Sequence, residues 1–218
     1  MEEFGLGRCH HIHSFDISEP GYTQYIGSGR VDGTVQDQFS ISEFEGSVRI
    51  ASTSDAWARW WLLDEVDENG EPIWNGPTNQ VSILQPNEEG ELEKTGIIGS
   101  IAEGETIWSA RFVGDRGYLV TFENIDPLWV IDLSDPTNPV ILGELEVPGV
   151  STYIHPVNEN TLLTIGIGPG EDGLGLDWST TQISIFDISD PTNPTLADSL
   201  PISPCLLYTS PSPRDIGE

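Results

Sequence analysis

The sequence predicts an all-β protein made of repeated four-stranded antiparallel units, and three observations predict it. The first is a turn written more than once. An apolar strand, Trp129-Val130-Ile131, ends in Asp132-Leu133-Ser134-Asp135-Pro136-Thr137-Asn138-Pro139, and 55 residues later the chain reads Asp187-Ile188-Ser189-Asp190-Pro191-Thr192-Asn193-Pro194, identical at seven of eight positions. An earlier copy, Phe15-Asp16-Ile17-Ser18-Glu19-Pro20, matches Phe186 to Pro191 at five of six. The second is punctuation: 16 Pro and 23 Gly in 218 residues suit short strands joined by tight turns. The third is spacing, because four strands recur in each roughly 50 residues, the inner ones apolar and the last half polar. Together they point to a partial β-propeller of about three and a half four-stranded blades. A pair of β-sandwich domains is the alternative, but it would not ask for so close a copy of one turn at blade spacing.

The turn has a physical logic of its own. Asp132 and Asp135 can accept hydrogen bonds from backbone N–H groups a residue or two on, and Pro136, with no N–H to donate, ends the ladder. Pro139 then biases Asn138 toward extended geometry and launches the next strand at Val140. Asp16, Asp187 and Asp190 hold the matching places in the other copies. A cation site or a catalytic carboxylate pair is the functional reading of these aspartates; turn chemistry explains every position without a ligand.

Taken in order, residues 9–17 and 22–31 read as two strands around the first turn copy, a blade remnant over 8–32. Cys9, His10, His11 and His13 resemble metal-ligand material, yet strand alternation sends His11 and His13 to one face and His10 to the other. A blade over 37–102 follows, opening with a hairpin of 38–44 and 47–53 across Glu45-Gly46. Its pattern is broken by an insertion, 54–79, that carries Trp57, Trp60, Trp61 and Trp74 with Asp64, Glu65, Asp67, Glu68 and Glu71 among its acidic residues. Trp57, Trp60 and Trp61 would offer stacking faces to a sugar or an aromatic ligand, or else cover their own loop from a short helix. Strands at 81–84 and 92–101 complete the blade.

A third unit, 106–148, contains strands at 108–113, 118–122, 128–133 and 140–147. Residues 128–133 are apolar almost throughout, as a strand buried on both faces must be, whereas 140–147 alternates and describes an outer strand with one wet side. The fourth, 151–203, repeats the order with 152–155, 162–167, 182–188 and 196–202. His155 reads as a satisfied strand histidine. Between strands two and three lies a glycine-rich acidic stretch, 166–177, where Glu171, Asp172 and Asp177 are carboxylates of the kind calcium takes, without the spacing of an EF-hand loop; an ordinary acidic connection is the alternative. From about Pro204 the pattern stops. Residues 204–218 resemble translated adapter read-through and are set aside as a non-native tail together with Cys205.

Charge narrows the choice of partners. There are 36 acidic and 8 basic residues, a net charge of −28, and Lys94 is the only lysine. Such a surface repels phosphate backbones and anionic lipid, so neither a nucleic-acid nor a membrane-surface partner is expected. Nothing approaches the roughly 20 apolar residues of a membrane span, and Met1-Glu2-Glu3 is no signal peptide; the opening, close to the middle of a repeat, reads as truncated. Open strand edges predict poor solubility for the isolated fragment.

With these residues in place, the chain resembles the secreted bacterial and archaeal β-propeller domain family distantly related to WD40 repeats. The resemblance is carried by Gln38-Phe39-Ser40, by Ile107-Trp108-Ser109-Ala110-Arg111-Phe112-Val113-Gly114-Asp115-Arg116 with Tyr118-Leu119-Val120-Thr121-Phe122, by Asp126-Pro127-Leu128-Trp129-Val130-Ile131-Asp132-Leu133-Ser134-Asp135-Pro136, and by Ser151-Thr152-Tyr153-Ile154-His155-Pro156. It implies export to the cell surface or beyond, and no settled activity. Two functions follow as expectations. One is a non-enzymatic surface or secreted scaffold that presents loops to a protein or a glycan. The other is an extracellular carbohydrate-active hydrolase or lyase whose acidic residues converge near the propeller axis.

Overall fold

A computed structural model of the chain describes residues 9–54, 77–122, 126–170 and 175–203. The sheets these residues form are antiparallel and the fold is all-β, as the repeat predicts. Strands β1 (Cys9–Asp16) and β2 (Gln24–Asp32) form a two-stranded sheet. Three four-stranded meanders follow, each in chain order. The first joins β3 (Ile41–Phe44), β4 (Ser47–Ser54), β5 (Thr78–Pro86) and β6 (Leu92–Ile101). The second joins β7 (Thr106–Val113), β8 (Arg116–Phe122), β9 (Asp126–Asp132) and β10 (Val140–Val147). The third joins β11 (Val150–Asn158), β12 (Thr161–Pro169), β13 (Leu176–Asp187) and β14 (Thr195–Ser203). Half a blade and three whole ones is the count the repeat spacing predicts.

Local chemistry sets the details. Glu45 and Gly46 both adopt positive φ, 49° and 79°, so the β3–β4 hairpin closes on two residues whose twist suits the flanking strands. The stretch 38–44 is not strand throughout. Asp37 accepts from the N–H groups of Phe39 and Ser40 at 2.9 and 3.0 Å and winds Gln38–Ser40 into one 3-10 turn before β3 begins. The described parts of the glycine-rich stretch, 166–170 and 175–177, are likewise more regular than the composition suggests. β12 runs to Pro169 and β13 starts at Leu176, because Gly168 pairs with Asp177 and Pro169 with Leu176. Asp177 therefore stands on a strand rather than in a flexible loop.

The chain forms two compact units, one from residues up to 107 with the turn 132–140, the other from 108–131 and 141 onward. In the first, Val31, Val48, Ile50, Leu84 and Leu92 make one core, with Ile12 and Val35 against it. Beside that core Asn79 is fully buried. Its carboxamide donates to the carbonyls of Ile101, Ala102 and Glu105 at 3.0 to 3.4 Å and accepts from Thr53 Oγ1 at 2.7 Å, while Thr53 Oγ1 also accepts from Ile107 N–H at 3.1 Å. In the second unit Tyr118, Val120, Leu128 and Val130 meet Val150, Ile154, Leu162 and Phe186, which packs sheet on sheet. Each such side chain stabilises the fold by about 1.5–3 kcal/mol.

The repeated turn also has a seat. In the first unit a Cβ at Gly96 of β6 would collide with the carbonyl oxygen of Pro136, and one at Gly27 of β2 would stand 2.8 Å from that of Gly90. In the second unit a Cβ at Gly143 of β10 would stand 2.7 Å from the carbonyl of Pro191 and 2.8 Å from that of Thr192. Gly27 and Gly96 occupy one register position, next to a bulge where the ladder skips a residue: Ser14 pairs with Gly27 and Phe15 with Tyr25, Ile83 with Gly96 and Leu84 with Lys94. Only glycine lets two backbones approach this closely. In β14 the same register belongs to Asp198, since Ile185 pairs with Asp198 and Phe186 with Leu196.

Candidate functional site

The turn carboxylates come first, because they are the most repeated polar groups in the chain. Asp16, Asp132 and Asp187 accept from the N–H of Ser18, Ser134 and Ser189 at 2.8, 2.9 and 2.9 Å. Asp135 accepts from both the hydroxyl (2.7 Å) and the N–H (2.9 Å) of Thr137, and Asp190 does the same with Thr192 at 2.7 and 3.0 Å. These bonds favour the ionised form. They hold Asp135, Asp187 and Asp190 below the usual carboxylate value through the Thr137, Ser189 and Thr192 side chains first, and Asp16 through the Ser18 N–H. The sheet of β3 to β6 has no aspartate here. Asn87 takes the place and accepts from Glu89 and Glu91 N–H at 3.0 and 2.9 Å, so a neutral oxygen shapes the turn as well.

Of the calcium candidates, Glu171 and Asp172 lie outside the described residues. Asp177 is bonded to its own neighbours: Oδ1 accepts from the Ser179 hydroxyl (2.6 Å) and N–H (3.0 Å), and Oδ2 from the Thr180 hydroxyl (2.6 Å). The Ser179 and Thr180 hydroxyls and the Ser179 N–H hold its pKa below the ordinary value. Trp57, Trp60 and Trp61 also fall outside the described residues, as does the tail 204–218.

On β1, His10, His11 and His13 are all exposed, opposite Val31, Arg30 and Ser28. His13 Nδ1 lies 3.5 Å from the Tyr25 hydroxyl, and Tyr25 meets Phe15 edge to face at 5.4 Å. No three His, Cys, Asp or Glu side chains converge among the described residues. His155 is exposed on β11 and stacks on Tyr153 at 6.3 Å and 18°.

One arrangement was not legible in the sequence. The β12–β13 ladder pairs Ile167 with Thr181 and then Gly168 with Asp177, leaving Trp178, Ser179 and Thr180 as a three-residue bulge with no partner on β12. Trp178 is 56% exposed and lies 6.1 Å from Trp108, the rings tilted by 47°. Trp108 in turn meets Phe122 edge to face at 5.5 Å, and both pack on the second unit's core. The usable signal was Asp177-Trp178-Ser179-Thr180 itself: an Asp followed at two and three residues by hydroxyls pins a turn, and it brackets an indole.

Comparison with known proteins agrees with this architecture. A family model described as a beta propeller domain matches residues 8–209. An uncharacterized protein of Methanocaldococcus jannaschii is 37% identical over 190 residues, covering 87% of this chain and 26% of the relative. An uncharacterized protein of Archaeoglobus fulgidus is 37% identical over 168 residues, covering 77% of this chain and 22% of the relative. The chain thus spans about a quarter of the length of the curated relatives it matches.

Proposed function

The chain belongs to the beta propeller domain family, and from that premise we propose that it is a non-enzymatic recognition scaffold of the cell surface or the extracellular space, binding a protein or a glycan. One observation carries the reading. The carboxylates that a hydrolase would recruit from the repeats accept hydrogen bonds from their own turns, at 2.7 to 3.0 Å in Asp135 and Asp190. They act as backbone-shaping groups, and Asn87 performs the same task without a charge or a proton to exchange. The loops of such a scaffold supply recognition, and Trp57, Trp60 and Trp61 are stacking faces in this proposal. The extracellular placement rests on the motif resemblance. The net charge of −28 directs the scaffold toward neutral or cationic partners.

A glycan array and a peptide array, run beside a panel of chromogenic glycosides, test the proposal. Saturable binding without turnover is expected. Turnover that disappears when a single carboxylate is replaced would overturn it.

A further inference from the structure

An exposed indole on a strand is ordinary when it is loose, and Trp178 is not. Three features fix it. The bulge lifts residues 178–180 off the ladder, the kind of insertion that re-aims a side chain. The Asp177 carboxylate clamps the bulge through Ser179 and Thr180, at 2.6 to 3.0 Å. Gly168 opens the room the bulge needs, since a Cβ there would stand 3.0 Å from the Thr180 methyl. Behind the ring, Trp108 and Phe122 form an aromatic stack that ends in the core. A large side chain is thereby held out of the core with its orientation set before any ligand arrives, and that limits the entropy lost on binding.

We infer that Trp178, with the Asp177 bulge beneath it, is a binding site for a guanidinium group, supplied by an arginine on a protein partner. This rests on the scaffold reading and gives it a partner chemistry. Charge points the same way, because a chain of net charge −28 repels anions and attracts cations, and Asp177, the residue before the indole, has its carboxyl held below the ordinary pKa by the Ser179 and Thr180 hydroxyls. Hydrogen-bond polarity agrees. The Ser179 and Thr180 hydroxyls both donate to Asp177, so their remaining lone pairs only accept, and guanidinium is a donor-only group that also stacks flat on an indole. Lysine offers the charge without the plane. A neutral sugar offers the CH face without the charge, and its hydroxyls would compete with bonds already made.

The test follows the indole N–H resonances of the 218-residue protein during titration with the capped peptide acetyl-Gly-Arg-Gly-amide, its citrulline isostere, its lysine analogue and cellotetraose. Trp178→Phe identifies the resonance by its loss. The arginine peptide is expected to shift that resonance saturably. The citrulline and lysine peptides should bind more weakly. Trp178→Ala should weaken arginine binding by about two- to fivefold, the size of an exposed cation–π contact, and Trp178→Phe by less. Equal affinity of wild type and Trp178→Ala would overturn the inference, since the peptide would then be held by bulk acidity alone. Cellotetraose shifting the resonance that the arginine peptide leaves in place would also overturn it, with the scaffold reading intact; only glycoside turnover removes that reading.

Discussion

At the scale of single residues, the repeated aspartates separate two accounts of the chain. If they move a proton, a neutral amide cannot replace them. If they only bend the backbone, it can, as Asn87 does between β5 and β6. Asp190→Asn, which keeps the acceptor oxygen without the charge, is therefore expected to melt between wild type and Asp190→Ala. The pH dependence has a definite sign. The folded-state pKa of Asp190 lies under its ordinary value of 3.8, so its stabilisation is present above that value and is lost as pH falls through the folded pKa. Calorimetry at a series of pH values should show the gap between wild type and Asp190→Ala narrowing as the solution becomes more acid than about pH 4. A gap that stays constant would mean the ionised form contributes nothing. This part of the chain was readable in advance, because Asp, Pro, Thr and Asn each have one strong local preference and the copies repeat it. Trp178 was not. Its placement depends on a ladder that skips three residues, and a period-two pattern carries no mark of that.

At the scale of elements, polar side chains decide where strands lock. Asn79 on β5 satisfies three carbonyls at the end of β6 and in the connection beyond it, and Thr53 on β4 holds its oxygen. Asn79→Ala would strip the buried Ile101 carbonyl and the part-buried Ala102 and Glu105 carbonyls of this donor, at about 1–3 kcal/mol for each buried group left unsatisfied. Urea denaturation should show a loss of at least about 2 kcal/mol with an unchanged m-value. Strand positions were legible wherever hydrophobic periodicity was uninterrupted; 92–101 and 140–147 are β6 and β10 to the residue. They were less legible where a side chain rewrites the backbone locally. Asp37 turns the start of one expected strand into a 3-10 turn, and Asp177 pins Ser179 and Thr180 into the bulge at the start of β13. Both effects come from a single carboxylate accepting nearby N–H or hydroxyl protons, chemistry that composition alone describes as loop.

At the scale of the whole molecule, copies of a short motif come to rest on glycines of outer strands, the Pro136 turn on Gly96 in the first unit and the Pro191 turn on Gly143 in the second. In the second unit Gly143 receives the Pro191 turn, while Asp198, which occupies the register of the seat in β14, is exposed and bonds Ser199 N–H at 2.9 Å. The contact was hidden in the sequence because Gly143 reads there as one more alternating strand residue; only the approach of two backbones gives the missing side chain a purpose. The direct measurement is the thermal and urea melting of Gly143→Ala beside Asp198→Ala. Gly143→Ala is expected to lose about 1–3 kcal/mol, the usual cost of overpacking, and Asp198→Ala to stay within about 0.5 kcal/mol of wild type. Equal, small effects at the two positions would contradict it.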